Sequence, residues 1–295
     1  MPVSGPILVF LANGTQGSAV VRAARQRGHG ARALIRRRLD KAPASIDIVT
    51  GDLDDPASLV SAAQGCAHAV LQVPTGDGSI MVRQVGTALD ALRHAGVRSI
   101  VLKLASASRP VPCAEPSFVA NAAIEALVRG AGIPFAIVRP TMYLDNLLKP
   151  SARADIAERG IFSPPIARGQ RIAWTSVDDC ALAAIMLLEQ DRYGDDHVIG
   201  GPESVTGDEL ATRLSAGLGR PITYLAEPLD AFERDVDAAM GPGMGRRIAS
   251  KFRYFDTYPD EADRVLATVH VTGSLPGFIP TTIDTWVRQR RDLFW

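Results

Sequence analysis

Short apolar runs alternate with amphipathic stretches of helical spacing from the start of the chain, and this alternation constrains the fold more than any other feature. It is typical of βαβ units, in which each strand is followed by a helix and the sheet is parallel. Because such crossovers are right-handed, six strands at this spacing predict a doubly wound α/β sheet. The predicted strands cover residues 7–11, 31–35, 46–49, 68–73, 99–105 and 134–138.

Helices are predicted between these strands, at about 16–28, starting at the Asp55-Pro56 pair, at 79–95 and at 117–129. After Arg139-Pro140 the alternation fades, and glycine and proline become frequent. We therefore expect a Rossmann-type domain at 1–142 and a smaller α+β substrate lobe at 143–295, with segments free to pass between them. Within the lobe we predict an apolar helix after Val177, a helix capped by Thr206, and a last helix opening at Thr281.

Charge and cysteine content indicate which binding partners and which cellular compartment to expect. The 32 basic and 32 acidic residues give no net charge, so we expect no binding to nucleic acid or to a membrane surface. We expect a small-molecule substrate. A homodimer is possible. Three cysteines in unrelated contexts argue against a disulfide framework and for the reducing cytoplasm. The five histidines form no pair at helical spacing, so we expect no metal.

The segment that follows the first predicted strand, residues 11–17 (LANGTQG), has the composition of a phosphate-binding loop. A helix that begins there presents free N–H groups and a positive dipole to an anion. Gly14 would let the backbone approach the phosphates, and Gly17 would let the helix pack closely on the strand. Thr15 and Gln16 would offer N–H groups and polar side chains. The alternative is an ordinary strand-to-helix turn that happens to contain glycine.

Leu11 stands where an extended dinucleotide fingerprint has glycine. A leucine pays a steric penalty at positive φ, whereas Asn tolerates the left-handed region better than most residues. We therefore predict that Ala12 and Asn13 make the turn.

The end of the second predicted strand decides between NAD and NADP. An NAD-selective domain carries an acid there, but this chain has Arg36, Arg37 and Arg38, with no acid before Asp40. An arginine fork can bind a 2′-phosphate that a carboxylate would repel, so the pattern favours NADP(H), with Arg36 the first candidate. The alternative is a solvated basic loop.

Residues 51–53 follow the third predicted strand and are placed to meet an adenine. Asp52 would accept from the exocyclic amine, and Leu53 would pack on the ring. The structural alternative is helix capping by Asp52 or Asp54.

Several stretches resemble the NmrA-like family of atypical short-chain dehydrogenases/reductases. The resemblance implies an NADP-binding Rossmann domain with a small lobe over the nicotinamide end. The family includes reductases of quinones and other small ketones or enones, and also non-enzymatic regulators that sense NADP(H). The stretches that carry the likeness span nearly the whole chain; they are residues 12–17, 32–36, 51–56, 124–125, 139–146, 200–206 and 219–222.

Three residues are candidates for catalysis, although the Tyr-x-x-x-Lys pair of typical short-chain reductases is absent from the chain. Ser106 matches the place of the substrate-orienting serine of the wider superfamily; the alternative is a hydroxyl that satisfies its own loop. Tyr143 lies in the segment that lines the nicotinamide pocket of NmrA-like proteins; the alternative is a core aromatic with its hydroxyl at the rim. Asn121 stands where NmrA-like reductases often carry lysine, four residues before Glu125, and can donate a hydrogen bond to a nicotinamide ribose or amide.

Lys103 lies inside a strand that should be central, where a buried ammonium needs a partner. It would either contact the cofactor pocket or extend past the strand end into solvent; we favour the second. Residues 241–245 (GPGMG) suggest a hinge or lid.

Three functions fit this sequence. The first is an NADPH-dependent reductase of a small, apolar, conjugated carbonyl compound such as a quinone or enone, whose reduction asks less of a protein acid. The second is a regulator that binds NADP(H) without turnover, and the third is a non-redox cyclase or isomerase.

Overall fold

Seven parallel strands form the central sheet of the protein in this computed structural model, which describes residues 4–37, 46–109, 113–271 and 273–295. Every neighbouring pair in the sheet is parallel. The sequence order reverses next to the first strand, as a doubly wound Rossmann sheet requires, so the predicted fold class is confirmed. From one edge to the other the strands are β10 (Asp196–Ile199), β6 (Phe135–Pro140), β5 (Ser99–Lys103), β4 (His68–Leu71), β1 (Ile7–Val9), β2 (Ala31–Ile35) and β3 (Asp47–Thr50).

Helices follow most of these strands, and the remaining strands form two short parallel pairs. Among the described residues, no helix combines the length and the apolarity that crossing a membrane would take. The helices are α1 (Thr15–Gln26), α2 (Pro56–Ala63), α3 (Gly78–His94), α4 (Pro116–Gly130), α5 (Pro150–Ala154), α6 (Val177–Glu189), α7 (Gly207–Leu218), α8 (Leu229–Met240), α9 (Met244–Thr257), α10 (Pro259–Leu266) and α11 (Ile283–Arg290), and the short strands are β7 (Met142–Tyr143) with β9 (Trp174–Thr175), and β8 (Ile161–Phe162) with β11 (Thr223–Tyr224).

The sheet is buried on both faces, which explains why its strands read as continuous apolar runs. Side chains alternate between faces along a strand. In β5, Val101 packs in the cluster that includes α1 and α6, whereas Ile100 and Leu102 pack in the cluster that includes α2, α3 and α4. A third apolar cluster is built mainly from residues after 140.

The seventh strand, β10, was not predicted as part of the sheet. It pairs with β6 from a position far along the chain, and α6, which precedes it, packs on α1. Its sequence, DHVI, contains no apolar run, because an edge strand covered on one side alternates exposed and buried residues. The division of the chain at 142/143 stays a proposal.

Two helix starts agree with the predictions and one differs. Helix α2 starts at the Asp55-Pro56 pair, as predicted, and Asp55, rather than Asp52 or Asp54, caps it, since its side chain accepts from the N–H groups of residues 57 and 58. Thr282 caps α11, whereas the predicted Thr281 donates its hydroxyl to Asp179. Thr206 caps α7 in a capping box with Glu209, as predicted.

Candidate active site

The N-terminus of α1 follows β1, at the carboxyl ends of the strands. The order of the strands in the sheet reverses at this point, between β1 and β4. Gly14 precedes the helix and provides no side-chain cap, and the first turn contains no acidic residue. The first-turn N–H groups of a helix have no intrahelical acceptor, and the helix dipole adds positive potential there. Gly14 and Thr15 are exposed. This helix end therefore has the properties of a site for an anionic group.

Leu11, rather than Ala12 or Asn13, adopts the left-handed conformation in this loop, so that part of the prediction is wrong. Its φ is 51°, and neither of the other two has positive φ. The Leu11 carbonyl accepts from the Gly14 N–H at 2.9 Å, and its side chain packs against the cluster on the α2–α4 face. These contacts offset a backbone cost of about 1–2 kcal/mol for a non-glycine residue.

Gly17 is required by close packing, as expected. A Cβ at this position would lie 2.2 Å from the Leu11 carbonyl oxygen, which leaves no room for a side chain between α1 and the loop. Gly14 is different, because a Cβ there would meet only the same oxygen at 3.4 Å. Its φ of −82° is open to any residue. The protein itself therefore tolerates a side chain at Gly14.

The basic residues after β2 are available to a ligand. Arg36 and Arg37 are exposed, and neither forms an ion pair or hydrogen bond with any residue of the described ranges, while Arg38 lies outside those ranges. Asp52 accepts the N–H of Asp54 at 3.0 Å through one carboxylate oxygen. The second oxygen of Asp52 makes no bond with the described part of the chain.

Leu53, the other residue expected at the adenine, is 9% exposed and packs in the cluster on the α2–α4 face. Most of the Leu53 side chain is therefore buried in the core and is not available to pack on an adenine ring.

A buried hydrogen-bond network joins the phosphate-loop helix to β5 and to the segment after β6. Lys103, the last residue of β5, donates to the Gln16 amide oxygen at 2.5 Å and to the Tyr143 hydroxyl at 2.9 Å. The Gln16 amide nitrogen donates to the carbonyl of Ala105 at 3.1 Å. Lys103 is 2% exposed, so it does not extend into solvent as we favoured. The side chain of Gln16 is engaged here, which leaves only its backbone N–H for a phosphate.

The electrostatics of this network keep the Tyr143 phenol neutral. Burial lowers the pKa of Lys103 from 10.5 to about 8. Burial, with Cys180 and Asp145 nearby, raises the pKa of Tyr143 well above 10. The Tyr143 hydroxyl also lies 3.4 Å from the carbonyl oxygen of Leu104, and the residue is only 4% exposed. Tyr143 and Lys103 thus form a tyrosine–lysine pair that the sequence motif did not reveal, but the pair is closed to solvent.

A second buried lysine, which the sequence analysis missed, meets Ser106. Lys251 of α9 donates to the Ser106 hydroxyl at 2.5 Å and to the Ala107 carbonyl at 2.9 Å. Ser106 is partly exposed just past β5, whereas Lys251 is 7% exposed. The available signal was helical spacing, because Lys251 shares the buried stripe of α9 with Tyr254 and Phe255 at i+3 and i+4.

Asn121 lies on the buried face of α4, one turn before Glu125, and is 7% exposed. Its side chain makes no hydrogen bond within the described ranges. Glu125 accepts from Ser108 at 3.0 Å and pairs with Arg139. Ser106, Asn121 and the tyrosine–lysine pair therefore belong to the elements that meet at the carboxyl ends of β5 and β6.

Helix α9 is joined to the start of α3 by an ion pair. Arg247 pairs with Asp77, which caps α3, at 3.0 Å. Hydrogen bonds from Ser79 and Arg247 lower the pKa of Asp77 to about 2. The expected hinge at 241–245 is the turn between α8 and α9, where Gly241 and Gly243 have φ of 102° and 84°.

Comparison with known proteins connects this geometry to a group of reductases. The chain is 30% identical over 278 residues to an NAD(P)H azoreductase of Xenophilus azovorans, which covers 90% of this chain and 93% of that protein. It is 31% identical over 232 residues to the (4-alkanoyl-5-oxo-2,5-dihydrofuran-3-yl)methyl phosphate reductase of Streptomyces griseus, covering 76% of this chain and 78% of that one.

A crystal structure of an NADPH-dependent quinone oxidoreductase of Escherichia coli in complex with NADPH shares the fold. The TM-score is 0.69 and the identity 22%, over 98% of this chain and 99% of that one. The model of the NmrA-like family matches residues 4–286. With a family match over nearly its whole length and a 30% identical relative covered almost end to end, the chain belongs to the NmrA-like family.

Proposed function

We propose that the protein is an NADPH-dependent reductase of a small, apolar substrate in which a carbonyl is conjugated, of the quinone or enone type. The observation that carries the proposal is the convergence of an uncapped, acid-free helix N-terminus and a lysine-bonded serine at one end of the sheet. The first suits the pyrophosphate of a dinucleotide, and the second suits a substrate oxygen.

The residues present fit a dinucleotide with a 2′-phosphate. The N–H groups of the first turn of α1, with Gly14 exposed before them, would bind the pyrophosphate. Arg36 and Arg37, free of protein partners among the described residues, would bind the 2′-phosphate. Asp52 has an oxygen left for the adenine amine. When bound, the cofactor supplies a hydride.

The proposed substrate class depends on which side chains can donate a proton to the substrate oxygen. Tyr143 is closed to solvent by Lys103 and Gln16, so we assign it to positioning Gln16 and α1 rather than to proton transfer. Ser106, which is partly exposed, is the hydroxyl that we assign to the substrate oxygen. A conjugated substrate needs less acid strength, because the enolate or hydroquinone formed is already stabilised. The Streptomyces griseus relative reduces a 4-alkanoyl-5-oxo-2,5-dihydrofuran compound, in which carbonyl groups are conjugated with a ring double bond, and this supports a conjugated acceptor.

Asn121 is proposed to hydrogen-bond the nicotinamide ribose or amide. Its side chain is without a partner in the described part of the chain, although it is nine-tenths buried. An amide in that condition is stabilised by a ligand that completes its hydrogen bonds.

The test is NADPH oxidation followed at 340 nm with a panel of quinones, enones and simple ketones. We expect turnover with the conjugated compounds and little with the simple ketones. Isothermal calorimetry with NADPH and NADP⁺ should be run on the same preparation. Cofactor binding without turnover of any compound would contradict the proposal and favour the regulator hypothesis.

A further inference from the structure

Lys251 occupies an unusual place for a lysine. Its ammonium lies inside the protein, within hydrogen-bond distance of one hydroxyl and one carbonyl and 5.7 Å from the centre of the Phe118 ring. No carboxylate of the described residues bonds to it. A buried amine without a counterion is costly to the fold, so its presence calls for an explanation.

Three carboxylates on the elements around Lys251 are paired with arginines and not with the amine. Asp77 on the cap of α3 pairs with Arg247, and Glu233 of α8 pairs with Arg253. Glu261 of α10 bonds to Arg109 at 2.8 Å. These pairs leave burial as the main influence on Lys251, and burial lowers its pKa from 10.5 to about 7. The amine is therefore able to exchange a proton near neutral pH.

Ser106 is the more exposed partner in its hydrogen bond with Lys251. Its oxygen accepts from the amine, so the hydrogen of its own hydroxyl remains free for another acceptor. Ser106 is partly exposed just beyond β5, and ligands of open α/β sheets bind outside the carboxyl ends of the strands. Lys251 itself is 7% exposed, so we expect it to act through Ser106 and not by direct contact.

We propose, on the basis of the function proposed above, that Lys251 is a proton-supplying positioning residue that acts on the substrate oxygen through the Ser106 hydroxyl. The contribution comes from α9, so the substrate lobe completes a site whose other parts lie on the sheet.

The proposed reaction is a hydride addition followed by a proton relay. Addition of a hydride from NADPH to the conjugated carbon leaves an electron pair on the carbonyl oxygen, as an enolate. That oxygen takes the hydroxyl proton of Ser106, and Ser106 takes a proton from the Lys251 ammonium. One O–H bond forms on the substrate and one N–H bond breaks on Lys251. The neutral amine regains its proton from water after product leaves.

The kinetic test compares the pH dependence of kcat/KM from pH 6 to 9 for four proteins. In the wild type, kcat/KM should fall about tenfold per pH unit above the pKa of Lys251. Lys251→Arg keeps a charged donor, so its fall should move out of this range. Lys251→Met should lose at least tenfold at pH 6 and show a flat profile. Lys149→Met is the matched control and should keep the wild-type profile.

NADPH affinity and thermal unfolding distinguish the loss of a proton donor from structural damage. Both should stay at the wild-type level or improve in Lys251→Met, because the substitution removes a buried amine. A wild-type pH profile in Lys251→Met would overturn the relay while leaving the proposed function standing. Absence of turnover in the wild type would instead overturn the proposed function.

A direct titration does not depend on turnover. The chain has only the lysines 41, 103, 149 and 251, so side-chain NMR of the ¹³C,¹⁵N-lysine-labelled protein can be assigned with single Lys→Arg variants. We expect the Lys251 signal to titrate near pH 7 and its midpoint to move in Ser106→Ala. A midpoint near 10, or one that ignores Ser106→Ala, would overturn the proposal.

Discussion

Gly14 and Gly17 stand three residues apart in one loop, but the structure requires only the second of them for packing. A Cβ at Gly14 would touch a single carbonyl oxygen at 3.4 Å, and its φ is ordinary. We expect Gly14→Ala to change the free energy of unfolding by less than about 0.5 kcal/mol. Affinity for NADPH should fall at least tenfold, because the methyl group occupies the approach of the phosphates. Urea denaturation and calorimetry test both; unchanged affinity would remove Gly14 from the cofactor site.

Arg36 provides a second prediction at the scale of single residues. If it binds the 2′-phosphate, Arg36→Ala should weaken NADPH binding by about 10- to 100-fold, the usual loss for a charge-assisted hydrogen bond. NADH, which lacks that phosphate, should bind almost as before. Arg25→Ala, an exposed arginine at the opposite end of α1, is the matched control. Equal losses for the two cofactors would exclude the role.

The local features of the site could be predicted from the sequence, and the long-range ones could not. Glycines, a helix start and a basic run are neighbours along the chain. The Lys103–Tyr143 bond joins residues 40 positions apart, and the Lys251–Ser106 bond spans 145. Leu11 was mispredicted for a related reason, since its intrinsic backbone preference is outweighed by contacts that only the folded loop makes.

At the scale of elements, the packing of α1 on its loop depends on Gly17. Alanine there would place Cβ 2.2 Å from a backbone oxygen, so the helix must shift. We expect Gly17→Ala to lower the free energy of unfolding by about 1–3 kcal/mol and to weaken NADPH binding. Gly86→Ala, in α3 with open space around it, should instead gain up to about 1 kcal/mol. Similar effects at both positions, measured by denaturation, would contradict the packing argument.

Six strands were predictable because each is an apolar run between helical patterns, and their bounds agree within a few residues. The seventh, β10, contains Asp196 and His197 and is recognised only through its partner β6. Long-range pairing, rather than local composition, decides such an edge strand.

At the scale of the whole molecule, the two buried lysines should make stability depend on pH. Their pKa values are lowered by burial to about 8 and about 7, from 10.5 in the exposed chain. Above pH 7 the unfolded chain therefore binds more protons than the folded one, and the free energy of unfolding should rise from pH 7 to 9. Cys180, whose pKa is raised by burial from 9.0 to about 11, opposes this trend only above pH 9. Urea titrations of wild type, Lys103→Met and Lys251→Met test it; a flat wild-type profile would contradict burial of the amines.

The passage of the chain out of the sheet after β6 and back again at β10 has a consequence for biosynthesis. During translation, β6 emerges long before the strand that covers its outer edge, so some sixty residues must be made while that edge stays open. Open strand edges are sites of intermolecular pairing. A nascent chain stalled after β6 has left the ribosome, but before α6 and β10 have done so, should therefore be prone to aggregate and depend on chaperones.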